Sequence, residues 1–169
     1  ARKTKVQSWF LDLNLVLAYW DGDGGRSYHH TAPVNALYGL NEALTMVEDE
    51  GLENAWARHA QTHNALRAGT EAMGLTFLVD PAYRLPQLNT VFIPNGLDDA
   101  AARGALLRNH GIEIGAGLGP FAGRIWRIGL MGESSRINHV LVFLAALEHL
   151  MRSAGLHIPA SGVEAAAAA

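Results

Sequence analysis

The hydrophobic pattern of this chain changes period at Gly74, and that change restricts the fold more than any other feature of the sequence. Before it, apolar residues recur at helical spacing. Trp9, Leu13, Val16, Leu17 and Trp20 predict a short helix over 8–20, and Asp21-Gly22-Asp23-Gly24-Gly25 a turn. Val34, Leu37, Leu40, Leu44 and Val47 form one apolar stripe, with Thr31 and Pro33 as helix-start signals. Gly51 breaks that stripe, and a further helix runs to about Met73 with Gly74 as its stop. After Gly74 the apolar runs are short and bounded by proline or glycine: 75–79, 90–93, 112–114 and 125–130. Two helices separate them. Asp98 caps one that ends at Gly111, and Ser134 or Ser135 opens another carrying Ile137, Val140, Leu144, Leu147 and Met151 to Gly155. The order β-β-α-β-β-α predicts a small α+β layer, a mainly antiparallel sheet with helices on one face.

At 169 residues and 49% hydrophobic content, the chain fits one domain, or a small domain plus part of another, with enough apolar surface for a core. A net charge of −3 gives no electrostatic basis for binding nucleic acid or an anionic membrane surface. Without cysteine, disulfides, thiolate catalysis and cysteine-based zinc sites are excluded. No apolar run approaches the roughly 18 residues that span a bilayer, and no signal-peptide pattern follows the basic start. A cytoplasmic enzyme fits this composition, or a peroxisomal one in a eukaryote. Ala165 to Ala169 reads as an appended tail.

Tyr28-His29-His30-Thr31-Ala32-Pro33 is the densest polar cluster. A helix N-terminus with free N–H groups suits a phosphate, and two hydroxyls beside it add neutral donors. The competing reading is a plain helix cap with surface histidines. Adjacent histidines do not project to one point, so a metal site is not expected. Gly115-Ala116-Gly117-Leu118-Gly119-Pro120 reads as a glycine turn between strands, since no apolar helix follows it as a dinucleotide loop requires. Arg127 lies in an apolar strand and shares a face with Ile125 and Gly129. A guanidinium there needs an anion or exposure; a bound carboxylate and an internal salt bridge satisfy it equally. Arg84 carries the same two readings. Trp56 and His59 read as packing or surface residues.

Taken in order, several of these segments resemble the alanine/serine–glyoxylate aminotransferases, a class V branch of the fold-type I pyridoxal-phosphate enzymes. The likeness covers about residues 2–155. It rests on Arg2-Lys3-Thr4 with Trp9-Phe10-Leu11-Asp12, and on Tyr28-His29-His30-Thr31-Ala32-Pro33, Leu37-Tyr38-Gly39-Leu40 and Gly51-Leu52-Glu53. It continues through Arg84-Leu85-Pro86, Ile112-Glu113-Ile114, Gly117-Leu118-Gly119-Pro120 and Trp126-Arg127-Ile128-Gly129-Leu130-Met131-Gly132. The resemblance implies an α/β chain: the C-terminal portion of a fold-type I transferase. Residues 1–50 would close its large cofactor domain, 51–74 form an inter-domain helix, 75–158 form the small α+β domain, and 159–169 form a tail. It implies pyridoxal 5'-phosphate as cofactor, with Tyr28 and Thr31 holding the phosphate across a homodimer interface. Arg127 would bind the substrate carboxylate, and Gly117 would line the substrate side.

The resemblance also implies a departure. The Schiff-base lysine would lie upstream of Ala1, and Lys3 and Lys5, the only lysines, match the basic segment after it. The chain therefore offers no catalytic residue of its own and is expected to be inactive alone. The implied reaction moves an amino group from alanine or serine to glyoxylate or a similar small oxo acid. A ureidoglycine–glyoxylate aminotransferase and a non-catalytic binding or regulatory module derived from the small domain remain as alternatives.

Overall fold

The computed structural model describes residues 3–21, 25 and 27–169. Two compact units divide the chain, 1–49 and 50–169, and each is described by itself. In the first, α1 spans Leu13–Asp21 and α2 spans Val34–Glu50. The expected start of α1 moves from residue 8 to residue 13 because 9–12 close a turn, with the Asp12 amide donating to the Trp9 carbonyl at 3.3 Å. The Asp12 carboxylate then accepts the Asn14 amide at 3.1 Å and stabilises the helix entry. The glycine turn expected after α1 falls almost wholly outside the described residues. Helix α2 follows Pro33, as its stripe predicts, yet buries none of its residues.

The second unit holds the core. Helix α3, Leu52–Ala72, begins after Gly51, whose φ of 81° suits a residue without a Cβ. It turns Thr62, Ala65, Leu66, Gly69 and Thr70 inward. Three antiparallel strands follow, β1 (Leu88–Phe92), β2 (Gly115–Ala116) and β3 (Ile125–Gly129), in the spatial order β1-β3-β2. Helix α4 spans Asp99–His110 and α5 spans Ile137–Ser153. Along β3, Trp126 and Ile128 point into the core with Val91 of β1, and there meet residues of α3, α4 and α5. The buried Trp126 indole N–H donates to Asp99 at the start of α4, 2.9 Å away, so the largest core side chain leaves no polar atom unmet.

Two of the four expected strands differ. Residues 75–79 run beside β1 with the Leu78 amide on the Thr90 carbonyl, but only Phe77 forms a bridge. The Asp80-Pro81 turn, capped by the Asp80 carboxylate, ends the segment before a ladder can extend. Residues 112–114 are not a strand; Ile114 goes to the core and pairing starts one residue later, at Gly115. Neither expected serine caps α5. Ser135 is buried and its hydroxyl meets Thr62 at 2.7 Å, while Arg136 stands at the cap position. Asp98 and Gly111 bound α4 as expected.

The segment expected as a tail is structured. Helix α6, Gly162–Ala167, packs on α3 and α5 and buries Ala166. Gly69 and Gly162 let the backbones meet: a Cβ on Gly69 would come within 2.7 Å of the Gly162 carbonyl. Glu148 of α5 ties the start of α6 by accepting the Gly162 amide at 3.1 Å and the Ser161 hydroxyl at 3.3 Å. Arg152 beside it, more than those two contacts, holds the Glu148 carboxyl below the ordinary carboxylate range, against a smaller upward push from burial. A carboxyl lowered in the folded state adds stability above its ordinary value near 4.5, and that stability is lost as pH falls through the lowered value. Glu148→Gln is therefore expected to lower the melting temperature at neutral pH, with the gap to wild type closing below about pH 4.5. Thermal melting across that range checks it, and a gap independent of pH would refute it.

Candidate functional site

Two sets of polar side chains stand out, one in each unit. In the first, the Tyr28 and Thr31 hydroxyls lie 2.6 Å apart and both residues are exposed. Thr31 is not the cap of α2; its oxygen faces Tyr28 instead. One hydrogen suffices for the contact between the two hydroxyls, leaving the pair a second O–H and free lone pairs at one point of the surface. His29 beside them is buried rather than on the surface. Its ring stacks on Trp9 with centroids 3.9 Å apart, its Nε2 donates to the Trp9 carbonyl at 3.0 Å, and its Nδ1 meets His30 Nδ1 at 2.6 Å. With both ring nitrogens engaged, His29 holds the Tyr28–Thr31 segment on the Trp9 turn. The sequence marked this motif without showing that role, because the contact closes a span of 20 residues.

In the second unit, strand pairing brackets Arg127. Thr90 of β1 is its partner on one side and Gly115 of β2 on the other. The side chain is half-buried, and its Nε donates to the Ala116 carbonyl at 2.8 Å. It forms no ion pair among the described residues, so the internal salt bridge considered from sequence does not form there. Gly115 leaves the room this needs, since a Cβ there would stand 3.2 Å from Arg127 Nη2. Gly117 has a structural reason of its own: a Cβ would lie 2.6 Å from the Phe121 carbonyl carbon. Arg84, by contrast, is internally satisfied. It donates to the Val79 carbonyl at 2.8 Å, pairs with Glu71 at 3.5 Å and lies over the Phe77 ring.

Trp56 is exposed, whereas His59 packs within the unit, on the Ala55 carbonyl and the Gly132 amide. Its neighbour Arg58 holds the Gly132 and Ser135 carbonyls, so α3 fixes the turn that follows the arginine-bearing strand. Glu50 completes the clamp, and the Arg58 guanidinium keeps its carboxyl below the usual range. Sequence reasoning gave Arg58 no role, because the two carbonyls it holds lie more than 70 residues away.

The second unit is thus a helix-backed antiparallel sheet, a small α+β domain, that presents a half-buried arginine with no ion pair among the described residues. Comparison with known proteins gives the class. Residues 17–123 match the family model for class V aminotransferases. The alanine–glyoxylate aminotransferase of Callithrix jacchus is 44% identical over 153 residues, 89% of this chain and 37% of that protein. The crystal structure of alanine–glyoxylate aminotransferase from Nostoc sp. superposes with a TM-score of 0.82 at 48% identity, over 89% of this chain and 40% of its own. Ureidoglycine–glyoxylate aminotransferase from Bacillus subtilis superposes at 0.86 with 39% identity, over 96% of this chain and 42% of its own. The chain belongs to the class V aminotransferases, and its fold is consistent with the C-terminal portion of a fold-type I enzyme. It spans about two fifths of the length of these relatives.

Proposed function

We propose that this chain forms part of a pyridoxal-phosphate-dependent aminotransferase that transfers an amino group from alanine or serine to glyoxylate or a similar small oxo acid. The observation that carries the reading is Arg127, fixed at Nε by a backbone carbonyl and without an ion pair among the described residues. Both terminal nitrogens then form a fork suited to a carboxylate, the group shared by amino donor and oxo acceptor. Arg127 thus orients each substrate in turn by the same end. Tyr28 and Thr31 fit the cofactor phosphate by the chemistry of their donor set: two neutral hydroxyls at one exposed point. In a homodimer they would reach the phosphate of the partner's cofactor. Pyridoxal phosphate, when bound, supplies an electron sink and carries the amino group between substrates. The resemblance matches Lys3 and Lys5 to the basic segment after the anchoring lysine, so the lysine that holds the cofactor is assigned to a position before them. Gly117 would keep its loop close to the substrate.

The test supplies full-length protein and pyridoxal phosphate with glyoxylate, offering alanine, serine and ureidoglycine singly as donors. Turnover with alanine or serine supports the reading. Turnover confined to ureidoglycine would replace the donor, in keeping with the likeness to the Bacillus subtilis enzyme. Glyoxylate left unconsumed with every donor would overturn the reading in favour of a binding or regulatory module.

A further inference from the structure

The Thr90 hydroxyl oxygen is shut off from solvent and has no hydrogen-bond partner, the only such buried side-chain atom found among the described residues. A buried hydroxyl left unmet is destabilising, so its position calls for a physical reason. Thr90 is the residue directly opposite Arg127 in the β1–β3 pair. Directly opposed Cβ atoms lie about 4.5–5.5 Å apart on one face, within reach of a long side chain. On the far side of Arg127, β2 engages Nε through the Ala116 carbonyl and leaves space for Nη2 at Gly115. A guanidinium has five N–H donors. One is taken by Ala116, and a carboxylate bound end-on takes two. Of the remaining two, one can turn toward β1.

We propose that Thr90 is a positioning residue for Arg127, its hydroxyl oxygen accepting the N–H on the β1 side so that the guanidinium is held from both neighbouring strands when it grips a carboxylate. The inference rests on the carboxylate-binding role given to Arg127 above. Sheet geometry brings the three parts together: β2 supplies a carbonyl, β1 a hydroxyl, and β3 the cation between them. A hydroxyl unmet in the free chain and engaged in the bound one adds binding energy at the expense of resting stability. Valine, which keeps nearly the same shape, should therefore uncouple the two.

The experiment uses full-length protein, calorimetric titration with propionate as a simple carboxylate, thermal melting, and steady-state kinetics with glyoxylate. Thr90→Val is expected to melt no lower than wild type, to bind propionate about tenfold more weakly, and to raise the KM for glyoxylate in step with little change in kcat. Thr90→Ser, which restores the hydroxyl, is expected to recover most of that affinity. Arg127→Ala is the control. If it loses propionate binding while Thr90→Val keeps it within about twofold, Thr90 has no such role and the Arg127 reading stands. If neither variant loses affinity, the carboxylate reading of Arg127 fails and the Thr90 inference with it. A Thr90→Val protein that melts well below wild type would also overturn the proposal, because the hydroxyl would then have a structural partner.

Discussion

Arg127→Ala in the full-length protein is expected to lower kcat/KM by roughly 30-fold or more for donor and acceptor alike. The guanidinium is half-buried, and Ala116 engages only its Nε, so a carboxylate placed against Nη1 and Nη2 would be met by charge and geometry together. Removing one partner of such a contact costs about 2–5 kcal/mol, and each 1.4 kcal/mol is tenfold. The loss should fall on both substrates, because each presents its carboxylate to the same fork. Lysine should rescue poorly, since one ammonium cannot reproduce two parallel N–H groups and would leave the Ala116 carbonyl without its donor. Steady-state kinetics with each substrate varied in turn provides the measurement. A kcat/KM within about threefold of wild type would show that Arg127 does not hold the carboxylate.

The second large effect is expected at Tyr28 and Thr31. Replacing them together, Tyr28→Phe with Thr31→Val, removes both hydroxyls of the pair while keeping ring and branch. Charge-assisted hydrogen bonds from such donors to a phosphate contribute about 1.5–3 kcal/mol each, so the double variant should hold pyridoxal phosphate at least tenfold less tightly. Preference among amino donors should change far less, because neither hydroxyl is assigned to substrate. Dialysis against buffer and titration of the cofactor back by absorbance would read the affinity. If the contact crosses a dimer interface, mixing this variant with a partner inactivated elsewhere should recover one intact site per dimer. Unchanged cofactor affinity would remove both residues from the phosphate site.

Local signals in the sequence marked most of the helical scaffold. Asp98 and Gly111 bound α4, and Gly51 and Gly74 bound α3, because caps and left-handed stops act within a few residues. The strands were harder to read, since a short apolar run does not say whether a neighbour lies beside it. The stretch 75–79 has the composition of a strand but makes one bridge, and Gly115-Ala116 has none of that composition but pairs with β3. The start of α5 was misplaced because Ser135 engages Thr62 across 73 residues instead of the local amides. Of the candidate site, Arg127 was visible as a charge in an apolar run. Thr90 was not, because its significance lies in register, and register depends on which strands meet. The role of α6 was hidden by its alanines, which carry no pattern of their own, while the close approach depends on Gly162 meeting Gly69, 93 residues away in the chain.

Strand β3 alternates Trp126 and Ile128 on the core side with Arg127 on the other. An engineer seeking thermal tolerance would naturally turn to those two core positions, and an engineer seeking a new substrate would leave them alone. Both choices overlook that the three residues share one rigid ribbon. A side chain exchanged at 126 or 128 shifts the Cα at 127, and a displacement of a few tenths of an ångström is large for a fork that must align two hydrogen bonds. Core variants of this domain should therefore alter substrate affinity without touching substrate, and a laboratory selection for altered carboxylate preference should return changes from the buried side of the sheet as readily as from the open one.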